Sequence, residues 1–381
     1  KTLSGQQKEA LKETGPDELS QNILKALDQM SGKGIFVECV KEASEGKPSA
    51  DALLGAFWAS IAWASFMKRK ISRITLINLP WYSRIFSTII GCSASEKHHQ
   101  KDSFCGVKTT DLMERWSFSE VAFLSILGKR PSPTELFELN ILLGLIISNG
   151  PGTISAQGCK GAVSADGPED PGRVQINKGF LGFLTHTGFA HGGNGYEAIA
   201  FLIEHFKAEA LKDPGDRKHG ISLKEIADRY ALSYAAYKKK EKAAGNIEYK
   251  KVPCINHPVF KGKDVNYDPR ERFVHKLFEE KGTYNIFFDF YHNLVESMFE
   301  NKVTKNVYCV NIDAIIAVIL LKMVWSDLKE GKISDEDVES SAFTTFLYGR
   351  MVGCAAEIDD HINRGKNMDT RTPASKCAYV G

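Results

Sequence analysis

Residues 117–128 read SFSEVAFLSILG, which is a complete helix signal in a single stretch. Ser117 and Glu120 have the spacing of a capping box, in which each side chain binds the backbone amide of the other residue. Apolar residues follow as far as Gly128, and glycine commonly ends helices. Residues 132–135 repeat the box, with proline at the first helical position. Alternating strand patterns are scarce, so the sequence predicts a mostly α fold.

Longer segments extend this helical pattern. Residues 139–147 and 314–325 are almost entirely apolar, which predicts helices that are buried on all sides. Residues 334–350 have the pattern of another capped helix. Residues 149–172 are rich in Gly, Pro and Ser and predict a loop with at most one short helix. The charged residues 207–251 predict a solvated pair of helices.

The balance of charges excludes two classes of protein. The chain has 381 residues, with 49 Lys+Arg against 47 Asp+Glu, and a formal net charge of +2. A dedicated nucleic-acid binder carries a basic excess, so no nucleic-acid partner is expected. A disordered chain would have fewer than the 43% hydrophobic residues found here. The eight cysteines are sparse and irregularly spaced, which favours a reduced, cytoplasmic compartment.

No apolar segment predicts a membrane span. Residues 1–33 are polar and lack the apolar core of a secretory signal. The most apolar run, residues 52–67, is shorter than the roughly 20 residues that cross a bilayer, and three basic residues follow it. This run predicts a buried or interface helix. We therefore expect a soluble protein without a membrane partner.

Two motifs are weak signals for a nucleotide or a metal. Gly193, Gly195 and Ala198 have the spacing of a dinucleotide fingerprint, but that fingerprint needs a preceding strand, and the sequence predicts none. A second cluster matches no common zinc pattern; its members are Cys92, His98, His99 and Cys105. The sequence therefore predicts neither a bound nucleotide nor a bound metal.

Several polar residues stand in apolar or glycine-rich surroundings, and each alone has an ordinary structural explanation. A histidine beside glycines is usually a turn residue, and an aspartate before an apolar helix is usually its N-cap. The residues are His191, His257, Arg270, Asp313, Arg350 and Arg371.

Four segments, in matching chain order, resemble the motifs of the citrate synthase superfamily. They are residues 117–128, 189–198, 255–270 and 310–313, and the likeness runs from about Asp102 to Tyr379. Three further segments are similar to the C-terminal citryl-CoA-cleaving domain of ATP-citrate lyase: residues 149–155, 349–353 and 371–380.

The resemblance implies an all-helical homodimer, or a higher homo-oligomer, whose active site lies in a cleft between two domains. It predicts a large domain over residues 76–200 and 326–381 and a small domain over residues 201–325. Residues 1–75 form a separate helical segment that the likeness does not cover.

The resemblance also implies roles for single residues. Asp313 is the base that takes a proton from the carbon beside a thioester, His191 binds the enolate oxygen, and His257 polarises a 2-oxo carbonyl. Arginines clamp carboxylates in this family, since the guanidinium binds them through two parallel bonds. The implied substrate-binding residues are Asn149, Arg270, Arg350 and Arg371.

Two positions depart from the family pattern. Asn149 stands where the family has a substrate-binding histidine, and asparagine cannot become cationic. Pro258 follows His257 where many members have arginine, and proline removes a backbone donor. These departures predict a 2-oxo acid other than, or in addition to, oxaloacetate.

The resemblance leaves three functions open. The first is condensation of an acyl-CoA, most simply acetyl-CoA, with a 2-oxo acid such as oxaloacetate, which releases coenzyme A. The second is cleavage of citryl-CoA, as a module beside a CoA-ligase partner; the lyase-like tail and the start of the sequence at Lys1 rather than Met favour it. The third is a non-catalytic relative. In the first two, the coenzyme A thioester is a co-substrate, and no cofactor is tightly bound.

Overall fold

The computed structural model describes residues 18–29, 34–93, 103–165, 176–188, 191–246, 248–257 and 259–363. Helices dominate these ranges, and their one sheet is the antiparallel pair β1 (Ser103–Phe104) and β2 (Val107–Lys108). The mostly α fold predicted from the sequence is therefore confirmed.

The first helices in chain order are α1 (Glu18–Gln29), α2 (Ile35–Ala43), α3 (Ala50–Met67), α4 (Arg73–Ser93), α5 (Thr109–Arg115), α6 (Phe118–Leu127) and α7 (Pro133–Ile146). The remaining helices are α8 (Ile154–Ser164), α9 (Ile176–Thr185), α10 (Asn194–Phe206), α11 (Leu223–Ala243), α12 (Pro269–Glu280), α13 (Ile286–Glu300), α14 (Ile312–Lys329) and α15 (Asp335–Asn363).

The helix signals in the sequence are confirmed where local chemistry sets the ends. Ser117 and Ser132 each form the reciprocal capping box, and Gly128 ends α6 in the left-handed conformation. Ser334 accepts the Asp337 amide, as expected for a capped helix, although α15 continues well beyond the predicted end. In the described part of residues 149–172, helix α8 agrees with the prediction of at most one short helix.

The described residues divide into two compact units. The first takes in the described residues up to 130 together with 151–165, 176–185 and 351–363, and the second takes in 131–150 and the described residues of 186–350. The three-part division predicted from the sequence remains a prediction.

Within the first unit, helix α3 has an unusual apolar surface. Leu53 and Ala56 pack with Leu27 and Val37 in a small core. Of the helices among the described residues, α3 alone is long and apolar enough to cross a membrane by length and composition, and only 17% of it is buried. Of the two expectations for this position, a buried or an interface helix, burial is therefore wrong, because most of the α3 surface has no packing partner among the described residues, and the interface helix stays a prediction.

The second unit is built around α14. All residues from Ala314 to Leu321 are buried, which confirms the prediction for this segment. Helices α7, α10, α12 and α13 contact α14, and α11 packs on α13. An apolar helix buried on every side thus forms the core that positions the surrounding elements.

Two expectations for the second unit are wrong. In α7, Leu139, Leu142 and Ile146 are buried, but the opposite face borders a mainly apolar cavity of about 720 Å³ shared with α12. The charged residues 207–251 contain one helix, α11, rather than two. The preceding residues form turns because the Asp213 and Asp216 carboxylates accept the amides of residues two positions later, which competes with helix formation.

Candidate active site

The loop that carries His191 is held by backbone bonds immediately before α10. The amides of His191 and Gly193 both donate to the Gly188 carbonyl oxygen, at 2.9 and 3.0 Å. Gly192 has a φ of +99°, and a Cβ added there would lie 2.4 Å from the Phe346 ring. Only glycine combines this backbone conformation with so close an approach to α15.

Phe346 brings His191 and Arg350 together. The His191 ring meets the Phe346 ring edge-on at a centroid distance of 5.5 Å, and the Arg350 guanidinium lies 4.9 Å from the same ring centroid. Burial, followed by the positive charge of Arg350, lowers the pKa of His191 to about 4. The imidazole is therefore neutral at neutral pH, and one of its nitrogens carries a proton that it can donate.

Arg350 is fixed by its contacts with α7. The side chain is 3% exposed, and its Nε donates to the Ile146 carbonyl oxygen at 2.8 Å. A Cβ at the preceding residue, Gly349, would lie 2.3 Å from Ile146 Cγ1 and 3.0 Å from the Leu143 carbonyl oxygen. Glycine at this position lets α15 approach α7 closely enough for the bond to form.

His257 and Asp313 both follow a short antiparallel backbone pairing. Asn256 N–H donates to the Cys309 carbonyl oxygen at 2.7 Å, and Asn311 N–H donates to the Cys254 carbonyl oxygen at 3.1 Å. His257 therefore follows one arm of the pairing directly, and Asp313 follows the other after two residues. Because the pairing is antiparallel, the two arms leave it at opposite ends, and His257 and Asp313 both lie in the second unit.

His257 is oriented by its own loop. Its Nδ1 accepts the Val259 amide at 3.2 Å, and its ring stacks on Phe260 at a centroid distance of 4.8 Å. This bond assigns the proton of the neutral ring to Nε2, which makes Nε2 a donor. Burial and the nearby Arg270 lower the pKa of His257, while Asp268 acts in the opposite direction.

Arg270 is part of a buried cluster. Asp268 caps α12 by accepting the Arg270 amide at 3.0 Å, and its carboxylate also binds Arg270 Nε at 2.8 Å and Nη2 at 2.6 Å. Arg270 Nη1 donates to Asn149 Oδ1 at 3.2 Å, and the guanidinium lies 5.6 Å from the Phe260 ring centroid. Asn149, Arg270 and His257 are therefore linked through direct contacts and one shared aromatic ring.

Asp313 lies in the first turn of α14, but Asn311 is the residue that caps the helix. The Asn311 side chain accepts the amides of Asp313 and Ala314, at 3.0 and 3.4 Å. The ordinary explanation of Asp313 as an N-cap is therefore wrong. A Cβ at Gly195 would lie 3.7 Å from the Asp313 carbonyl oxygen, so the start of α10 packs against the start of α14.

The buried thiol of Cys254 lies close enough to Asp313 for the carboxylate to affect its pKa. Burial raises the pKa of Cys254 well above its usual value, and the carboxylates of Asp313 and Glu197 raise it further. The start of α14, the start of α10 and residue 254 thus share one environment.

A cavity of about 630 Å³ opens beside this environment. Its walls come from α10, from the segment before His257 and from the cap of α14. The lining includes Tyr196, Glu197, Phe201, Tyr249, Lys250, Lys251, Cys254, Ile255 and Asn311. The sequence showed the lysines of this segment but could not place any of them at a cavity.

The described residues thus bring six of the seven predicted site residues into the second unit: Asn149, His191, His257, Arg270, Asp313 and Arg350. Arg371 and Pro258 lie outside the described residues. Sequence reasoning missed Phe260, Asp268 and Phe346 as parts of this site. Phe260 and Asp268 had a signal, because both belong to the motif-like segment 255–270, whereas Phe346 had none.

The weak alternatives do not gain support. Among the described residues, the element before α10 is helix α9 rather than the strand that a dinucleotide fingerprint requires, and Gly193 is the N-cap residue of α10. No group of three or more His, Cys, Asp or Glu side chains suited to a metal occurs in the described part of the chain. The side chains of Cys92, His98 and His99 fall outside it.

No protein-family model matches the chain, and no curated protein matches it either. Solved structures do. The citryl-CoA lyase from Hydrogenobacter thermophilus is similar at 20% identity and a TM-score of 0.51, over 73% of this chain and 89% of the lyase chain. The ATP citrate lyase from Methanothrix soehngenii, in complex with citrate and coenzyme A, is similar at 18% identity and a TM-score of 0.50, over 76% of this chain and 41% of that chain.

The citrate synthase from Thermotoga maritima MSB8 is similar at 16% identity and a TM-score of 0.49, over 94% of this chain and 87% of the synthase chain. At these identities the likeness concerns the fold. The chain shares its mostly helical fold with the citryl-CoA lyase structure.

Proposed function

We propose that the chain condenses the acyl group of a coenzyme A thioester, most simply acetyl-CoA, with a 2-oxo acid. One observation carries the proposal: a neutral histidine, His191, packs beside a buried arginine on one aromatic ring, at the helix starts that also hold Asp313. This set supplies a base, a neutral hydrogen-bond donor and a cation for an anionic substrate.

In the first step, the Asp313 carboxylate takes a proton from the carbon beside the thioester carbonyl. The electron pair of that C–H bond moves onto the carbonyl oxygen and forms an enolate. The neutral His191 donates a hydrogen bond to this oxygen, which stabilises the developing charge. A preorganised donor of this kind contributes about 3–4 kcal/mol to the transition state.

In the second step, the enolate carbon attacks the carbonyl carbon of the 2-oxo acid. The carbonyl π electrons move onto oxygen, and His257 Nε2–H, held by the Val259 amide at Nδ1, donates to that oxygen. Water then hydrolyses the citryl-type thioester and releases coenzyme A. Cleavage of the same carbon–carbon bond runs the first two steps backwards, with the proton returned from Asp313 to the enolate carbon.

The arginines support binding of a polycarboxylic acid. Arg350 is buried beside His191, and Arg270 is buried beside Asn149. Asp268 accepts from Nε and Nη2 of Arg270, and Asn149 accepts from Nη1, so these two side chains together orient the guanidinium. Arg371 would complete the set of carboxylate-binding residues.

The cavity at residues 249–255 supports binding of the coenzyme. Lys250 and Lys251 offer cations for phosphate groups, and Tyr249 and Phe201 offer aromatic faces for a base. The cavity also reaches Asn311, two residues before Asp313. The proposed reaction requires this, because the acyl end of a bound thioester must meet the Asp313 base.

Citryl-CoA cleavage is the second candidate. Two similar structures with TM-scores of at least 0.50 are a citryl-CoA lyase and an ATP citrate lyase, and the latter was solved with citrate and coenzyme A. A CoA-ligase partner, a homodimeric state and a cytoplasmic location accompany these candidates as proposals.

The decisive assay measures coenzyme A thiol release from acetyl-CoA with a set of 2-oxo acids, in parallel with cleavage of citryl-CoA. We expect faster condensation than cleavage; the reverse ranking would make the second candidate the function. Asp313→Asn should lower both rates by more than about a thousandfold, as typical for loss of a catalytic base acting with its neighbours. Coenzyme binding should persist.

Asp327→Asn is the matched control, because Asp327 lies near the other end of α14. It should retain the wild-type rates. Near-normal activity of Asp313→Asn would refute the assignment of the base, and inactivity of the wild type towards every substrate pair would refute the proposed function.

A further inference from the structure

Helix α11 presents three tyrosines on one face, at positions 230, 234 and 237. This spacing places side chains one above another along a helix. Their rings continue a series that begins at Phe201 in the cavity wall and ends at Tyr249. Neighbouring ring centroids in the series Phe201, Tyr230, Tyr234, Tyr237 and Tyr249 are 5.0, 5.8, 6.1 and 6.4 Å apart.

Two of these tyrosines bind the backbone of Lys250 from both sides. Tyr234 Oη donates to the Lys250 carbonyl oxygen at 3.2 Å, and the Lys250 amide donates to Tyr237 Oη at 3.1 Å. Burial raises the pKa of Tyr234 to about 12, so this hydroxyl keeps its proton at neutral pH. One turn of α11 thus binds both polar groups of a single loop residue.

The helix that makes these bonds is itself anchored. Lys224 Nζ donates to Ser297 Oγ at 2.9 Å and forms an ion pair with Glu300, both on α13. Near the other end, Lys238 Nζ donates to the Val303 carbonyl oxygen at 3.0 Å. Because α13 packs on the central α14, the tyrosines hold Lys250 against a fixed element.

The bound segment is one wall of the 630 Å³ cavity, to which Tyr249, Lys250 and Lys251 all contribute. An exposed segment of this kind has few bonds of its own to hold its side chains in place. We infer that Tyr234 and Tyr237 are positioning residues that set this wall for the coenzyme. The identity of the occupant rests on the proposed function, whereas the contact between α11 and the wall does not.

Ring packing and hydrogen bonding can be separated by experiment. Tyr→Phe keeps the ring and removes only the hydroxyl, so Tyr234→Phe, Tyr237→Phe and the double variant delete the bonds to Lys250. Tyr230→Phe is the matched control, since Tyr230 belongs to the same helix face and ring series. Among the described residues, its hydroxyl makes no hydrogen bond to residues 248–252.

The first measurement is amide hydrogen exchange over residues 248–252. We expect faster exchange of the Lys250 amide in Tyr237→Phe, by about three- to tenfold, because this amide loses its acceptor. Tyr230→Phe should match the wild type. An unchanged Lys250 amide in Tyr237→Phe would overturn the inference.

The second measurement has two parts. Kinetic assays give kcat and the KM for acetyl-CoA, and calorimetry gives the Kd of coenzyme A. We expect the double variant to raise both KM and Kd by about tenfold, with kcat within about twofold of the wild type. A merely structural role would lower kcat and active enzyme concentration together. Unchanged KM and Kd would overturn the positioning role.

The two failures are distinguishable. A wild type that binds coenzyme A but catalyses neither condensation nor cleavage refutes the proposed reaction, and the series of Kd values still tests the tyrosines. A fully active wild type whose double variant binds coenzyme A normally refutes the inference alone.

Discussion

The Asp268–Arg270 pair allows the sharpest test of how the site is held. Asp268 is fully buried and Arg270 is 8% exposed. The carboxylate accepts three N–H groups of one residue: the amide, Nε and Nη2 of Arg270. Asp268→Asn keeps an oxygen for the amide, and asparagine caps helices as well as aspartate does. It removes the charge and places an NH2 group where Nη2 now donates at 2.6 Å.

Loss of one partner leaves the Arg270 guanidinium buried without its counter-charge. Breaking a buried ion pair in this way costs about 3–5 kcal/mol. We therefore expect Asp268→Asn to lower the free energy of unfolding by that amount, measured by urea denaturation followed by circular dichroism. The KM for the 2-oxo acid should also rise, because Arg270 is no longer held beside Asn149.

The double variant Asp268→Asn/Arg270→Met separates the pair from the cap. Since it removes both charges, it leaves no unpaired ion, and we expect it to recover about half or more of the lost stability. A loss below about 1 kcal/mol in the single variant would refute the reasoning. The reasoning would also be refuted if the double variant lost as much stability as Asp268→Asn and Arg270→Met lose together when each is made alone.

Three further outcomes follow from the site. The pKa of His191 is lowered from 6.5 to about 4, so its contribution to stability is complete above pH 6.5 and is lost as the pH falls through 4. His191→Gln should therefore flatten the dependence of the free energy of unfolding on pH between 6.5 and 4, and a profile identical to that of the wild type would contradict this. Gly192→Ala should destabilise the chain by at least about 1–2 kcal/mol in urea unfolding, because its φ of +99° and the Phe346 ring both exclude a Cβ, and wild-type stability would argue against this. Asn149→His should shift kcat/KM towards oxaloacetate relative to other 2-oxo acids, since an imidazole restores the family's residue beside Arg270; an unchanged ranking would show that Asn149 does not set the preference.

Helix boundaries were predictable where the determinants are local. The boxes at Ser117 and Ser132 and the terminator Gly128 act over three or four residues, and all three are confirmed. Helix α14 was also predictable, because residues 314–321 are all apolar and such a run must be covered on every side.

The errors arise where burial depends on neighbours that are remote in sequence. An apolar composition predicted burial for α3 and for both faces of α7. Only 17% of α3 is buried instead, and a cavity borders one face of α7. The turns before α11 were missed for another reason, since charged residues suit a solvated helix and a solvated turn equally well.

By itself, the sequence determined the helical fold and named His191, His257 and Asp313, because motifs in a fixed order carry that information. Only the tertiary structure decided what surrounds them. Phe346 joins His191 to Arg350, Phe260 joins His257 to Arg270, and Asp268 holds Arg270. The state of each ionisable group depends on burial and on charges brought near it by folding. Folding likewise determined that two tyrosines of α11 bind the backbone of Lys250 in the cavity wall, because no local sequence pattern relates α11 to Lys250.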